Sequence, residues 1–448
     1  TIRLEQNYRS TATILKAANA VIDNNRGRMG KELWTDSVEG DLISVYAAFN
    51  EQDEARFIVD RISAWVEAGG ARRDVALLYR SNAQSRALEE ALIQRGLPYV
   101  VYGGQKFYER LEIKNALAYL RLIWHRHDDP AFERVINTPT RAIGERTVED
   151  IRAYARERQC SLWQAAEELT ETDRLTARAN NAVRGFLSLI ARLDVATREE
   201  PLHKIAEHAI TASGLLDFHR NEKGEKGLSR VENLQELIGA CKALEVEDEE
   251  QSALGQFLAT TALDAGEAQA EPHSDSVQLM TLHSAKGLEF PLVFISGVEE
   301  NLFPHKMSMD EPSQLEEERR LCYVGITRAE KKLYLTYAES RRLYGSDSFN
   351  LPSRFIREIP RELLEEVRPR TKVSRPVYHE RAMPAFTRQQ QTDNGDFHLG
   401  QRVAHAVFGE GFILNVEGSG ARTRVQINFD DGGLKWLMLA QAHLSAIS

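Results

Sequence analysis

The most chemically loaded stretch of this sequence is TLHSAKGLEF, residues 281–290. It lies between two apolar runs that read as strands, so its polar residues fall in a strand-end loop, where parallel sheets bind ligands. Hydroxyls at Thr281 and Ser284, donors at His283 and Lys286, and the flexible Gly287 suit close approach to a phosphate or a nucleic-acid backbone. Glu289 can accept from a ribose hydroxyl. On these residues alone, an ordinary connecting loop is an equal reading. A second stretch, EEERRLCYVGITRAEKKLYL (316–335), ends a charged helix at VGITRA and delivers Arg328 beside a strand. An arginine so placed can reach across a cleft and stabilise charge on a transferring γ-phosphoryl group, worth about 10³ to 10⁵ in rate. The competing reading is an ion pair with the carboxylates at 316–318. A third, QNYRS (6–10), precedes a helix starting near Thr11; taken alone, Tyr8 reads as a core-edge aromatic and Arg9 as a surface charge.

A parallel sheet is needed to position these groups. Residues 41–49 (DLISVYAAF) and 75–79 (VALLY) read as buried strands flanking a helix with Phe57, Ile58, Ile62 and Trp65 at helical spacing. A second helix over 82–95, stopped by Gly96, leads to a strand at 99–102, and this alternation predicts an α/β domain. From about 104 to 275 long amphipathic helices (113–124, 148–159, 183–193) predict an all-helical insertion. Strands resume at 277–281 and 292–296, and a charged helix over 315–329 leads into a strand at 333–337. The acidic run EVEDEEQ (245–251) reads as a solvated loop. Residues 363–397 are basic and proline-dotted, the composition of a flexible linker. Residues 398–448 alternate short strands with the turns FGEG, EGSG and DDGG, predicting a small β-barrel. The divisions expected are therefore 1–103 and 276–362 for the α/β domain, 104–275 for the insertion, then linker and barrel.

Composition bounds the partners. In 448 residues, 57 Lys and Arg stand against 67 Asp and Glu, a net charge of -10. That excludes indiscriminate coating of a polyanion, so any nucleic-acid site must be local. Cys160, Cys241 and Cys322 are too far apart for a disulfide framework or zinc knuckle and are expected as buried thiols. No apolar run reaches the roughly 18 residues of a membrane helix and no signal peptide opens the chain, so a cytoplasmic protein is expected. The chain begins on Thr1, almost inside a motif, which predicts a missing N-terminal portion. No G-x-x-x-x-G-K-[ST] loop occurs in it.

In their order along the chain, QNYRS, TLHSAKGLEF and VGITRA resemble motifs IV, V and VI of superfamily 1 DNA helicases, specifically the UvrD/PcrA/Rep group. The resemblance extends to LYRSNAQSRALEEAL (78–92), GVEENLFPH (297–305), RRLYG and PSRF. It implies a RecA-like second motor domain with a helical insertion and a Tudor-like C-terminal barrel. It implies that Tyr8 stacks on adenine, that Arg9 and Arg328 are arginine fingers, that Glu289 holds the ribose, and that Gly287 approaches the γ-phosphate. Arg80, Asn82, Thr281, His283, Ser284 and Lys286 would face single-stranded DNA, and His305 would stack on a base, unless it is a mere loop histidine. NTPTRAIGERTVEDI (137–151) resembles the helical hairpin by which such enzymes hold duplex backbone, through Thr140, Ile143 and Gly144. Family members usually have GIG where this chain has Ala142-Ile143-Gly144. ATP with Mg²⁺ is the implied cofactor, anchored mainly by the missing portion, so this chain alone is expected not to hydrolyse ATP. The activity implied is 3'-to-5' unwinding in excision and mismatch repair, on single strands and single-strand/duplex junctions of the bacterial nucleoid. RNA polymerase and repair proteins are implied partners of the barrel, where Phe408, Lys435 and Trp436 are surface candidates, with Trp436 favoured as core. Self-association stays open. Within the sequence, the alternatives are a PcrA or Rep homologue, or a non-catalytic DNA-binding and polymerase-tethering module.

Overall fold

The computed structural model describes residues 9–25, 38–244, 252–266, 274–343, 346–368, 400–417, 424–429, 433–439, 442 and 444–446. Tyr8, the acidic run 245–251 and nearly all of the expected linker lie outside the described residues.

Helix α1 (Ala12–Ile22) precedes strand β1 (Ile43–Ala48), helix α2 (Glu51–Glu67), β2 (Val75–Tyr79), α3 (Ser85–Gln94) and β3 (Tyr99–Val101). Asn50 caps α2 by accepting from the Asp53 amide at 2.8 Å, and Glu51, Asp53 and Glu54 complement the positive end of its dipole. The chain then leaves for the helical insertion: α4 (Leu111–Trp124), α5 (Asp129–Val135), α6 (Glu145–Arg158), α7 (Leu162–Thr170), α8 (Ala177–Thr197), α9 (Leu202–Ala212), α10 (Leu215–Arg220), α11 (Glu225–Ala243) and α12 (Ala253–Gly266). It returns as β4 (Val277–Thr281), β5 (Phe290–Ile295), α13 (Pro312–Ile326) and β6 (Ala329–Ala338). A hairpin, β7 (Arg341–Leu343) with β8 (Ser346–Ser348), the short α14 (Arg354–Glu358) and β9 (Leu364–Glu366) follow.

These strands form one seven-stranded sheet in the order β3-β4-β2-β5-β6-β1-β9, parallel throughout. Because both faces are covered, β2 is apolar along its whole length, and alternate side chains serve two cores. Ala76 and Leu78 pack with Ile14, Val21 and Ile326 from α1 and α13, whereas Val75, Leu77 and Tyr79 pack with Ile58, Ile62 and Leu92 from α2 and α3. The insertion has its own core, built around Phe132, Trp163, Phe186 and Ile190.

Several expectations need correction. Residues 364–366, assigned to the linker by composition, add the edge strand β9 beside β1, because Leu364 still packs on the sheet core. The helix expected from 82 begins as a 3-10 turn, Asn82–Gln84, closed by a capping box in which Ser81 and Gln84 exchange hydrogen bonds. Cys241 and Cys322 are buried, but Cys160 is only partly so. No described helix is long and apolar enough to cross a membrane.

The C-terminal barrel is an antiparallel sheet in the order β13-β12-β11-β10-β14, formed by β10 (Arg402–His405), β11 (Gly409–Glu417), β12 (Arg424–Phe429), β13 (Gly433–Met438) and β14 (Ser445–Ala446). Val403, Ile413, Val425, Ile427 and Phe429 fill it. Trp436, favoured from sequence as core, is instead 36% exposed under the Arg424 guanidinium, because five smaller residues already fill so small a barrel. Lys435 lies over the Phe408 ring at 5.4 Å.

Candidate nucleotide and nucleic-acid interfaces

The stretch 281–290 is not one loop on one edge of the sheet. Thr281 ends β4 at the carboxyl edge, and Glu289 immediately precedes β5 at the amino edge, so residues 282–289 carry the chain across the sheet. Backbone turns fix that path: the Leu282 amide donates to Tyr79 O at 2.9 Å, Ala285 to Thr281 O at 3.2 Å, and Leu288 to Ala285 O at 3.1 Å. The crossing divides the sequence-predicted residues into two groups.

Arg9, Glu289 and Arg328 meet at the amino edge. Ser10 Oγ donates to Ala329 O at 2.7 Å, which brings the start of the chain beside β6, and Arg9 forms an ion pair with Glu289. Arg328 follows α13 directly. Its guanidinium donates to Leu288 O (2.8 Å), Val324 O (3.0 Å) and Thr327 Oγ1 (3.1 Å), all neutral acceptors. Glu318, one of the carboxylates expected to compete for it, is taken by Arg80 instead. Burial and the neighbouring positive charge of Arg9 push the Arg328 guanidinium down from its usual range, partly offset by Glu289. Two neighbouring guanidinium groups, with the half-exposed Glu289 paired to Arg9, form a site that favours an added anion. Gly287, at φ +90, has open space where a Cβ would stand, so a ligand can approach its backbone.

At the carboxyl edge, a cleft of about 520 Å³ opens between the sheet and the insertion. Arg80, Asn82, Thr281, His283, Ser284 and His305 all line it. Thr281 Oγ1 and Ser284 Oγ are 3.0 Å apart, and the Ser284 amide donates to Thr281 Oγ1 at 3.2 Å. Arg80 is clamped by Glu318 of α13 through Nε and Nη2, at 2.7–3.0 Å. His283 is pushed below its usual pKa by burial and then by the Arg80 charge. His305 donates its backbone amide to Glu318 (3.1 Å), and its Nε2 is 3.2 Å from Glu232 of α11. Lys286 is exposed on the crossing itself and does not line the cleft.

Polar contacts stitch the insertion to this edge. Ser81 Oγ donates to Glu232 at 2.5 Å, Asn82 Nδ2 to Ser229 Oγ at 3.2 Å, Arg86 Nε to Glu236 at 2.7 Å and Arg110 Nη1 to Asn233 at 3.0 Å. Glu318, Glu232 and Ser229 escape sequence reasoning, since nothing local to a carboxylate in a charged helix marks its partner on a distant strand end.

The segment 137–144 lies within the insertion, away from both groups. Asn137 Oδ1 accepts from the Arg141 amide (2.7 Å) and the Ile143 amide (3.3 Å), and the Arg141 guanidinium donates to Pro139 O and Ser213 O. Thr140 and Gly144 are exposed, and Gly144 is the N-cap of α6, leaving first-turn amides for a phosphate. The Ile143 side chain is buried, so any contact from it must be through its backbone. Ala142, standing where glycine is usual, has φ +62 in the left-handed region. Ala142→Gly is therefore expected to stabilise the chain by about 1 kcal/mol; an unchanged or lowered melting temperature would contradict the strain.

A model of the UvrD-like helicase C-terminal domain matches residues 2–340, and one of the PcrA/UvrD tudor domain matches 399–445. The chain belongs to the UvrD-like helicases. It is 57% identical over its whole length to DNA helicase II of Escherichia coli (strain K12), and 53% identical to DNA helicase II of Haemophilus influenzae. To the ATP-dependent DNA helicase PcrA of Staphylococcus aureus (strain Mu50) it is 40% identical over 98% of its length. It spans 61–62% of the length of these relatives. As a UvrD-like helicase C-terminal portion, it carries one parallel-sheet domain with a helical insertion and a tudor-type barrel.

Proposed function

We propose that this chain is the second motor half of an ATP-dependent 3'-to-5' DNA helicase of the UvrD type, acting in nucleotide excision and mismatch repair in the bacterial cytoplasm. The observation that carries the reading is the single eight-residue crossing, 282–289, joining an arginine-rich anion site at one sheet edge to a polar cleft at the other. An anion at the amino edge would pull on Leu288 through Arg328, and that pull reaches Ser284 within four residues. ATP-driven closure would thus alter the grip on single-stranded DNA, as stepping requires. Helix α13 offers a second link, since it carries Glu318, which holds Arg80, and is capped at its C-terminus by Thr327, next to Arg328.

The amino edge fits the γ-phosphate of ATP, which Arg9 and Arg328 would hold, with Tyr8 on the adenine, Glu289 on the ribose and Gly287 close to the phosphate. No described group of three His, Cys, Asp or Glu is arranged to hold a metal, so Mg²⁺ would be supplied with the P-loop from the N-terminal portion that the family resemblance implies. When bound, ATP supplies the reactive phosphoryl group; this chain's part is to place two guanidinium groups on its charge. Arg80, Asn82, Thr281, His283, Ser284 and His305 would hold the single strand in the cleft, and Thr140, Ile143 and Gly144 the duplex backbone. The barrel would contact RNA polymerase or repair proteins.

Unwinding of duplexes bearing a 3' or a 5' single-stranded tail tests the reading, with the chain joined to a P-loop-bearing N-terminal portion of a relative. ATP-dependent unwinding restricted to the 3'-tailed duplex is expected. Failure to unwind either, in a folded protein that retains Arg9 and Arg328, would sink the helicase assignment.

A further inference from the structure

Within the cleft read above as the single-strand site, the ring expected to stack on a base shows little of its face. The His305 side chain is 11% exposed, with Nε2 beside Glu232 and Nδ1 accepting from the Met307 amide at 3.4 Å. The same cleft contains another ring that is open. Tyr102, the first residue beyond β3, is 47% exposed, while its backbone is anchored by an amide hydrogen bond to Leu279 O at 2.8 Å. Gly103, at φ +70, and Gly104 follow it and keep the turn low; a Cβ on Gly103 would lie 3.8 Å from Ser284 Oγ. The Tyr102 turn therefore abuts the turn carrying Thr281 and Ser284.

Two further apolar side chains are exposed in this cleft, Leu111 (50%) at the start of α4 and Leu228 (39%) on α11. Exposed apolar residues are ordinarily scattered singly over a surface, and their gathering in one concavity marks a binding site. They line the cleft together with Arg80, Thr281 and His283, so it offers apolar surface as well as polar donors. A nucleotide of a single strand has that division: a flat apolar base face and a charged backbone.

We infer that Tyr102 is a stacking platform for a base of single-stranded DNA, with Leu111 and Leu228 as apolar walls and the turn at 281–284 holding the adjoining backbone. The inference rests on the single-strand reading of the cleft and adds to it a specific ring. Aromatic stacking tolerates any sequence, because every base has a π-face, which suits a strand that must move through the site.

The test is fluorescence anisotropy of the full chain with a labelled oligothymidylate, and with an abasic strand of the same length that keeps the phosphates. Tyr102→Ala is expected to weaken binding to the thymidylate about tenfold. Tyr102→Phe should bind as the parent does, and all three proteins should bind the abasic strand alike. If Tyr102→Ala binds thymidylate normally while His283→Ala weakens it, the stacking role is overturned and the cleft's grip on DNA survives. Equal losses on both strands would overturn it too, the ring then being structural. If the parent chain binds neither strand, the underlying reading of the cleft falls with it.

Discussion

Arg328→Ala is expected to lower single-strand-stimulated ATP turnover by about 10³-fold or more in the motor completed with its P-loop portion. The expectation follows from how the guanidinium is held. Its hydrogen bonds run to Leu288 O, Val324 O and Thr327 Oγ1, which fix its direction without neutralising it, and Arg9 adds a second positive charge nearby. Such a site is preorganised for charge that develops in a transition state, so its loss should fall on kcat more than on KM. Arg328→Lys should recover little, because an ammonium cannot reproduce a planar group anchored to three acceptors. Steady-state turnover with saturating DNA decides the matter. An Arg328→Ala motor within threefold of the parent in kcat would remove this arginine from the phosphoryl-transfer step.

Arg341→Met should produce the largest loss of stability, about 3–5 kcal/mol by urea unfolding. Arg341 is buried with Glu54 and Glu299, both paired to it, and Glu54 also accepts from Thr336 Oγ1 (2.6 Å) and the Gly297 amide (2.8 Å). This knot ties the β7 hairpin to the start of α2 and to the turn after β5. Removing the guanidinium strands two carboxylates away from water, and the triple change Arg341→Met, Glu54→Gln, Glu299→Gln should recover part of the loss. The knot also sets a pH dependence. Burial pushes the Glu299 carboxyl up to about 7 against the pull of Arg341, and Glu54 adds to the rise. A carboxyl raised in the folded state stabilises fully below its ordinary value of 4.5, and that contribution is lost as pH rises through about 7. Glu299→Gln should flatten the stability profile between those limits; an unchanged profile would show that Glu299 is ionised throughout.

Much of the architecture is legible in local pattern. Strand 75–79 is a continuous apolar run, as a strand buried on both faces must be, while 277–281 is apolar but for Gln278 and the terminal Thr281, and the structure gives both the same limits. Long amphipathic helices mark the insertion because each needs one apolar stripe, although α8 extends well beyond the stretch 183–193 that shows the stripe most clearly. Composition misleads at 364–366, where an edge strand needs so few apolar contacts that it resembles linker.

The sequence by itself determined the residue types, their order, the family to which they belong and the strand-helix alternation, because period and turn chemistry are written over a few neighbouring residues. Only the tertiary structure decided that 281–290 serves two opposite edges of the sheet, that Glu318 clamps Arg80, that Glu232 covers His305, and that Tyr102 presents the open ring. Those facts depend on the strand order and on pairs such as Arg80 and Glu318, 238 residues apart. Partners brought together by folding leave no spacing between them for a sequence pattern to carry.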